Sequence, residues 1–293
     1  MLRYFLISLL ALGLALVLVL LATEYAAGRP SRRVKDVAYV PASAADFDTE
    51  RHRLDVYAPK KAVPGAGYPV VVFIHGGNWN SGNKSLYTFV GRRLARQGLV
   101  GVVINYRLAP AVQVPQMADD CARALAWTVQ HIAEHGGNPQ QVYVMGHSAG
   151  GGLAALLATD DELLARHGLP QNPVRGAILD DPGGLDMYTY LMNKPKGDTQ
   201  YHDAFGSVPA GWKQMSALYK LKPGVPPFLL FLGEKTYPSI SSSSGRFRKA
   251  LQAVGQEPLY QVLPGKKHIP MVLMLYWKNN VIYRELRKLA GVK

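Results

Sequence analysis

The stretch VYVMGHSAGGGLAALLATD, Val142 to Asp160, constrains this chain more than any other. An apolar run leads into G-x-S-x-G, and an alanine-rich run with helical composition follows at once. Such a segment reads as a strand, a tight turn and a helix. Gly146 and Gly150 allow a turn too tight for side chains at those two positions, and the turn pushes the Ser148 hydroxyl out above the strand end. The helix start also aims backbone N–H groups at any negative charge forming beside it. A serine hydroxyl is a poor nucleophile at neutral pH, so Ser148 needs a base within hydrogen-bond reach and an orienting group behind that base.

The surrounding chain has the matching rhythm. VKDVAYV and HRLDVYAP read as an opening antiparallel pair. YPVVVFIHGG, LVGVVINYRLAP and QVYVMGHS are continuous apolar runs, as expected of strands buried on both faces. VRGAILDDPGG, PPFLLFLGEK and PLYQVLPGKKH continue the series. Helical stretches stand between them: SLYTFVGRRLARQG, MADDCARALAWTVQHIAEHGG, GGGLAALLATDDELLARHG and SSSSGRFRKALQAVG. This alternation predicts a mostly parallel sheet with helices on both faces. Residues 182–225, rich in Tyr, Met, Gly and Pro, interrupt it and read as a cap-like insertion over the C-terminal edge of the sheet, where open α/β sheets bind ligands. A hydrophobic content of 48% suits one large core. The single cysteine, Cys121, lies on the apolar face of a helical stretch and reads as a small buried hydrophobe.

A second motif lies upstream. FIHGGNW closes the strand containing Val70–Ile74. A carbonyl attacked by Ser148 becomes an oxyanion and needs preorganised donors. The backbone N–H groups of Gly76 and Gly77, with that of Ala149, are the candidates, and His75 reads as a brace for their loop.

HGGNW, NYRLAP and GHSAGG in this order resemble the α/β-hydrolase fold. Within it they resemble the esterase and lipase families with an HGG oxyanion motif: hormone-sensitive-lipase-like, feruloyl-esterase-like and kynurenine-formamidase-like enzymes. The resemblance covers about Val34 to the C-terminus. It implies a mostly parallel eight-stranded sheet flanked by helices, and a serine hydrolase of carboxylic esters that uses no metal or cofactor. It also implies the order Ser, acid, His along the chain. Of eight histidines, His268 in LPGKKHIPM follows the last strand and takes the role of base. The acid is the departure. The family pattern puts an aspartate in the loop after the penultimate strand, and FLGEKTYPS has Thr236 there. Three solutions stand open: Glu234 in the same loop, Asp180 or Asp181 at the end of the preceding strand, or no acid at all.

HIAEH, His131 to His135, matches the inverted zinc-protease pattern, but it sits where its helix stops at GGNP and no third ligand is evident, so it reads as a solvated helix end. The net charge of +13 is scattered, without a basic helix or an aromatic-basic stripe, which argues against nucleic acid as a partner. Residues 1–28 stand apart. Tyr4–Ala22 is uncharged and as a helix would span ~28 Å, close to a bilayer core. It reads as a membrane anchor or, cut near Ala26–Gly28, as an export signal, with the membrane side open. Arg29, Arg32, Arg33 and Lys35 after it suit anionic headgroups.

The expectation is therefore an anchored or exported α/β hydrolase, residues 34–293, acting on a small-molecule ester. Two rivals accompany it: a catalytically weak hydrolase-fold binding or scaffold protein at the membrane, and an acyltransferase that passes the same acyl-enzyme to an acceptor other than water.

Overall fold

The strand Tyr68–Ile74 sets the frame, because its inner positions are buried on both faces. Val70, Val72 and Ile74 enter one apolar cluster and Val71 and Phe73 the other, so the sheet is covered on both sides. The computed structural model describes residues 31–61, 65 and 67–292. Among them, eight strands form one sheet: β1 (Ser31–Ala38), β2 (Arg53–Pro59), β3 (Tyr68–Ile74), β4 (Val100–Ile104), β5 (Gly137–His147), β6 (Val174–Asp180), β7 (Phe228–Lys235) and β8 (Leu259–Lys267). Their order is β1-β2-β4-β3-β5-β6-β7-β8. The β1–β2 and β2–β4 pairs are antiparallel and the remaining pairs parallel. This is the expected α/β-hydrolase architecture.

The helices are α1 (Thr88–Arg96), α2 (Val114–His131), α3 (Ala149–Thr159), α4 (Asp161–Ala165), α5 (Met187–Met192), α6 (His202–Phe205), α7 (Pro209–Gln214), α8 (Pro238–Ala253), α9 (His268–Leu273) and α10 (Val281–Leu289). Residues of α2, α3 and α8, among them Cys121, Leu153 and Phe247, fill one cluster. Residues of α1, α9 and α10, among them Leu94, Met271 and Leu286, fill the other. The stretch GGGLAALLATDDELLARHG, expected as one helix, breaks at Asp160, whose side chain accepts from Leu163 N and caps α4. Helices α5, α6 and α7 lie between β6 and β7, in the segment expected as an insertion.

The order places the site. From β3 the chain crosses to β4 on one side, and β5 then joins β3 on the other. The C-terminal ends of β3 and β5 therefore flank a crevice at the point where the strand order reverses. The glycine loop after β3 and the turn after β5 meet there. β1 begins at the opposite edge. Ser31 pairs with Pro59, whereas Leu54 at the other end of β2 pairs with Ile104, which ends β4. Among the described residues no helix is long and apolar enough to cross a membrane. Tyr4–Ala22, expected as anchor or signal, lies outside them.

Candidate active site

Ser148 stands between β5 and α3 with φ 53° and ψ −125°, a left-handed φ uncommon outside glycine. The flanking glycines make this turn possible. A Cβ on Gly146 would lie 2.1 Å from Gly150 O, and one on Gly150 would lie 2.1 Å from Ile74 O. The turn is pinned by Ser148 N donating to Asp180 O (3.1 Å) and by Gly183 N donating to Ser148 O (2.9 Å). Ser148 is 8% exposed.

Its Oγ lies 2.8 Å from Nε2 of His268, the first residue of α9. Nδ1 of the same ring lies 2.5 Å from Oδ2 of Asp181. The carboxylate fixes the tautomer. Nδ1–H donates to Asp181, which leaves the Nε2 lone pair for the serine hydroxyl. An imidazole held this way can take a proton from Ser148 and carry the resulting charge beside a carboxylate.

Asp181 is fully buried, and its carboxylate is met by donors rather than water. Gly233 N donates to Oδ1 at 2.9 Å, and the Thr236 hydroxyl donates to Oδ2. The residue lies one position past β6 with φ 50°, and its own N–H donates to Phe231 O of β7 at 2.8 Å. This turn carries the side chain across the end of β7 toward His268 on the far side of that strand.

Glu234 and Asp180 do not stand beside His268. Glu234 belongs to β7 rather than to the loop after it, and its Oε2 accepts from Gly265 N at 2.7 Å. Asp180 is the last residue of β6, and its Oδ2 lies 3.1 Å from Nδ1 of His147. Burial pushes the Asp180 carboxyl above its ordinary range, with His147 pulling the other way. Thr236, read from sequence as a missing acid, is a donor to the acid. The His147–Asp180 pair was missed by the sequence reading. It lies behind the site, the His147 ring 4.7 Å from that of His268.

Gly76 packs under the serine: a Cβ there would lie 2.8 Å from His147 O and 3.0 Å from Ser148 Cβ. Gly77 has φ 126°, and a Cβ would lie 2.2 Å from Ser81 O. Ala149 is the first residue of α3, where a backbone N–H has no intrahelical acceptor. His75 is fully buried, with Nδ1 2.8 Å from Gly76 O and its ring between those of Tyr106 (4.5 Å) and Tyr87 (6.0 Å). Burial lowers its pKa to about 4, so the imidazole is neutral. The other histidines have partners elsewhere. His52 faces Asp120 at 3.0 Å, His167 faces Asp119 at 2.7 Å, and His131 and His135 both pack on Trp127.

Ser148 and His268 open into a cavity of ≈ 490 Å³ walled by Gly77, Trp79, Tyr87, Met187, Tyr201 and Tyr237 among others. Trp79 is held edge-on by Phe205 (4.8 Å) and Tyr201 (5.6 Å), so the segment after β6 forms one wall. Another polar feature is Asp186, 1% exposed, which accepts from Arg246 Nε at 2.6 Å and Tyr219 OH at 3.1 Å.

The chain is similar to the isoprenylcysteine alpha-carbonyl methylesterase ICME of Arabidopsis thaliana, at 30% identity over 240 residues, 77% of this chain and 56% of that protein. It is similar to the esterase LipQ of Mycobacterium tuberculosis at 27% over 250 residues, 82% of this chain and 58% of that one. The chain spans about half the length of the curated relatives it matches. Its fold is that of Esterase B from Lactobacillus rhamnosis, with a TM-score of 0.73 at 23% identity over 98% of this chain and 94% of that one. The model of the BD-FAE family matches residues 54–251, more than half of the sequence, and the chain belongs to this family of α/β-hydrolase esterases.

Proposed function

We propose that this protein hydrolyses carboxylic esters through an acyl-enzyme on Ser148. Ser148 Oγ attacks the acyl carbon while His268 Nε2 takes its proton, and Asp181 holds the imidazolium through Nδ1. The carbonyl oxygen becomes an oxyanion facing the backbone N–H groups of Gly76, Gly77 and Ala149. His268 returns the proton to the leaving alcohol as the C–O bond breaks. Water, deprotonated by His268, then attacks the acyl-enzyme, and the acid is released as the serine recovers its proton.

The observation that carries this reading is the hydrogen-bonded line from Ser148 Oγ through His268 to Asp181 at 2.8 and 2.5 Å. Family membership and the esterase names of its relatives support the same reading. The scaffold reading rested on Thr236 in place of an acid. It loses that support, because Asp181 stands where an acid is needed and Thr236 donates to it. We read residues 34–293 as the catalytic unit, with a cap-like insertion at 182–225. We read Tyr4–Ala22 as an anchor or export signal, on its length and lack of charge.

The test is turnover of a short-chain aryl ester by the full chain beside Ser148→Ala. Hydrolysis that depends on Ser148 is expected. Equal rates from the two folded proteins would overturn the reading, and transfer to added alcohols or amines in preference to water would favour the acyltransferase.

A further inference from the structure

The helix that begins with His268 is apolar on both sides. Met271, Val272 and Leu275 are buried against the sheet, as a core-facing stripe should be. Ile269 and Leu273, four apart on this helix, are each 56% exposed, and Trp277, just past the 3-10 turn Met274–Tyr276 that follows it, is 61% exposed. A contiguous exposed apolar patch marks an interaction surface or a ligand groove.

A second row, of half-buried aromatic rings, meets this one at Trp277. The Tyr87 ring stacks on Phe89 (6.2 Å), Phe89 packs on Tyr276 (6.3 Å), and Tyr276 meets Trp277 edge-on (5.3 Å). The row is held in place. Arg93 Nε donates to Tyr276 O at 2.5 Å, and its guanidinium lies 5.2 Å from the centre of that ring. Leu86, 67% exposed, adjoins its start.

Both rows begin in the catalytic cavity, since Ile269 and Tyr87 are among its walls, and both end at Trp277. A stable protein interface buries about 800 Å² on each partner, some 20–30 residues. This band is a few side chains wide and continues the cavity, which suits a single hydrocarbon chain better than a second copy of the protein.

We propose that the band Ile269–Leu273–Trp277, with Tyr87, Phe89 and Tyr276 along its side, binds the long hydrocarbon chain of an ester whose carbonyl sits at Ser148. The inference rests on the esterase reading and narrows it to esters carrying an extended apolar chain. The chain leaves the cavity past Ile269 and Tyr87 and lies along the outside of α9. Its binding energy comes from apolar area withdrawn from water, and a substrate too short to leave the cavity gains none of it.

The test compares kcat/KM for aryl acetate and aryl dodecanoate, each monomeric and below its micelle concentration, using the full chain. The variants are Leu273→Ser, Trp277→Ser and the double. Neither residue walls the cavity, and both are exposed. The double variant is expected to lose about tenfold on the dodecanoate, equivalent to one or two methylenes' worth of burial, while the acetate changes less than about twofold. Leu273→Met should keep the wild-type ratio of the two esters. An unchanged ratio in the double variant overturns the chain-binding surface and leaves the esterase reading intact. So does an unchanged ratio accompanied by loss of a dimer in light scattering, or by loss of vesicle binding, which assigns the band to a second copy or to a bilayer. Absence of Ser148-dependent turnover on both esters overturns the esterase reading itself, and this inference with it.

Discussion

Thr236 donates its hydroxyl to Oδ2 of Asp181, the carboxylate oxygen that also faces His268 Nδ1. Thr236 follows β7, where the sequence resemblance implies an acid, and Asp181 lies just past β6, one strand over. Asp181 sets a negative charge beside the imidazole, and Thr236 is a neutral donor that helps hold it. Asp181 is thereby fixed from β7 by Gly233 N as well as by Thr236.

The first expectation separates the acidic candidates. Asp181→Asn removes the charge behind His268 and allows the wrong tautomer, so kcat should fall by about 10³–10⁴-fold. Glu234→Gln keeps an acceptor for Gly265 N and should stay within about twofold of wild type. Steady-state kinetics on one aryl ester decides it; a larger loss from Glu234→Gln would return the role to Glu234.

Thr236 itself is expected to matter less. A hydrogen bond to a charged group contributes about 1.5–3 kcal/mol. Thr236→Val, similar in shape and without the hydroxyl, should lower kcat about tenfold with little change in KM. Thr236→Ser should restore most of it. A Val variant as fast as wild type would leave Gly233 N as the donor that matters.

The buried imidazole of His75 gives a pH signature in stability. Its folded pKa of about 4 lies below the ordinary 6.5, so the unfolded chain binds more protons between these values. Stability from this group is present above pH ~6.5 and is lost as pH falls toward 4, by up to ~3 kcal/mol. Asp180 acts in the opposite sense. Its folded pKa is raised, so its contribution is present in acid and is lost as pH rises through that value. The single-site difference is therefore the quantity to read. Urea unfolding at pH 7.5 and pH 4.5 should show the stability gap between wild type and His75→Gln shrinking in acid. A gap that does not move with pH would mean that His75 is protonated in the folded state.

Two glycines should respond to alanine with opposite signs. Gly245 lies inside α8 with nothing within 4 Å of a new Cβ, and Gly245→Ala should stabilise by about 0.5–1 kcal/mol. Gly150→Ala would set a Cβ 2.1 Å from Ile74 O, where backbone cannot yield without parting α3 from β3. A loss of about 3 kcal/mol or more, or failure to fold, is expected. Thermal melts of the two variants provide the comparison.

These sites also mark how far the sequence could be read. The turn around Ser148 and the glycine loop after β3 are local, set by glycines within five residues, and both were legible. His268 followed from chain order once the resemblance was admitted. The acid was not legible, because Asp180 and Asp181 are neighbours that differ only in what the fold does with them. Asp180 ends the strand and meets His147, whereas Asp181 turns through φ 50° and reaches over β7. No propensity distinguishes adjacent aspartates in DDPGG, and the Asp181 partners lie 52 to 87 positions away. The break at Asp160 was missed for a related reason: the apolar pattern continues through it, and only the cap reveals the stop.

The antiparallel β1 has a practical meaning for anyone handling the protein. Ser31 lies at the rim of the sheet opposite the cavity, and an eight-residue strand covers roughly 26 Å. A resin, a reporter or a neighbouring enzyme coupled at Ser31 would sit behind the molecule, and solutes would still meet an open mouth. The same offset sets a reach limit: a surface held at Ser31 can deliver solutes to Ser148 only after they leave it and diffuse around the domain, unless the connecting chain is long enough to let the whole molecule turn over.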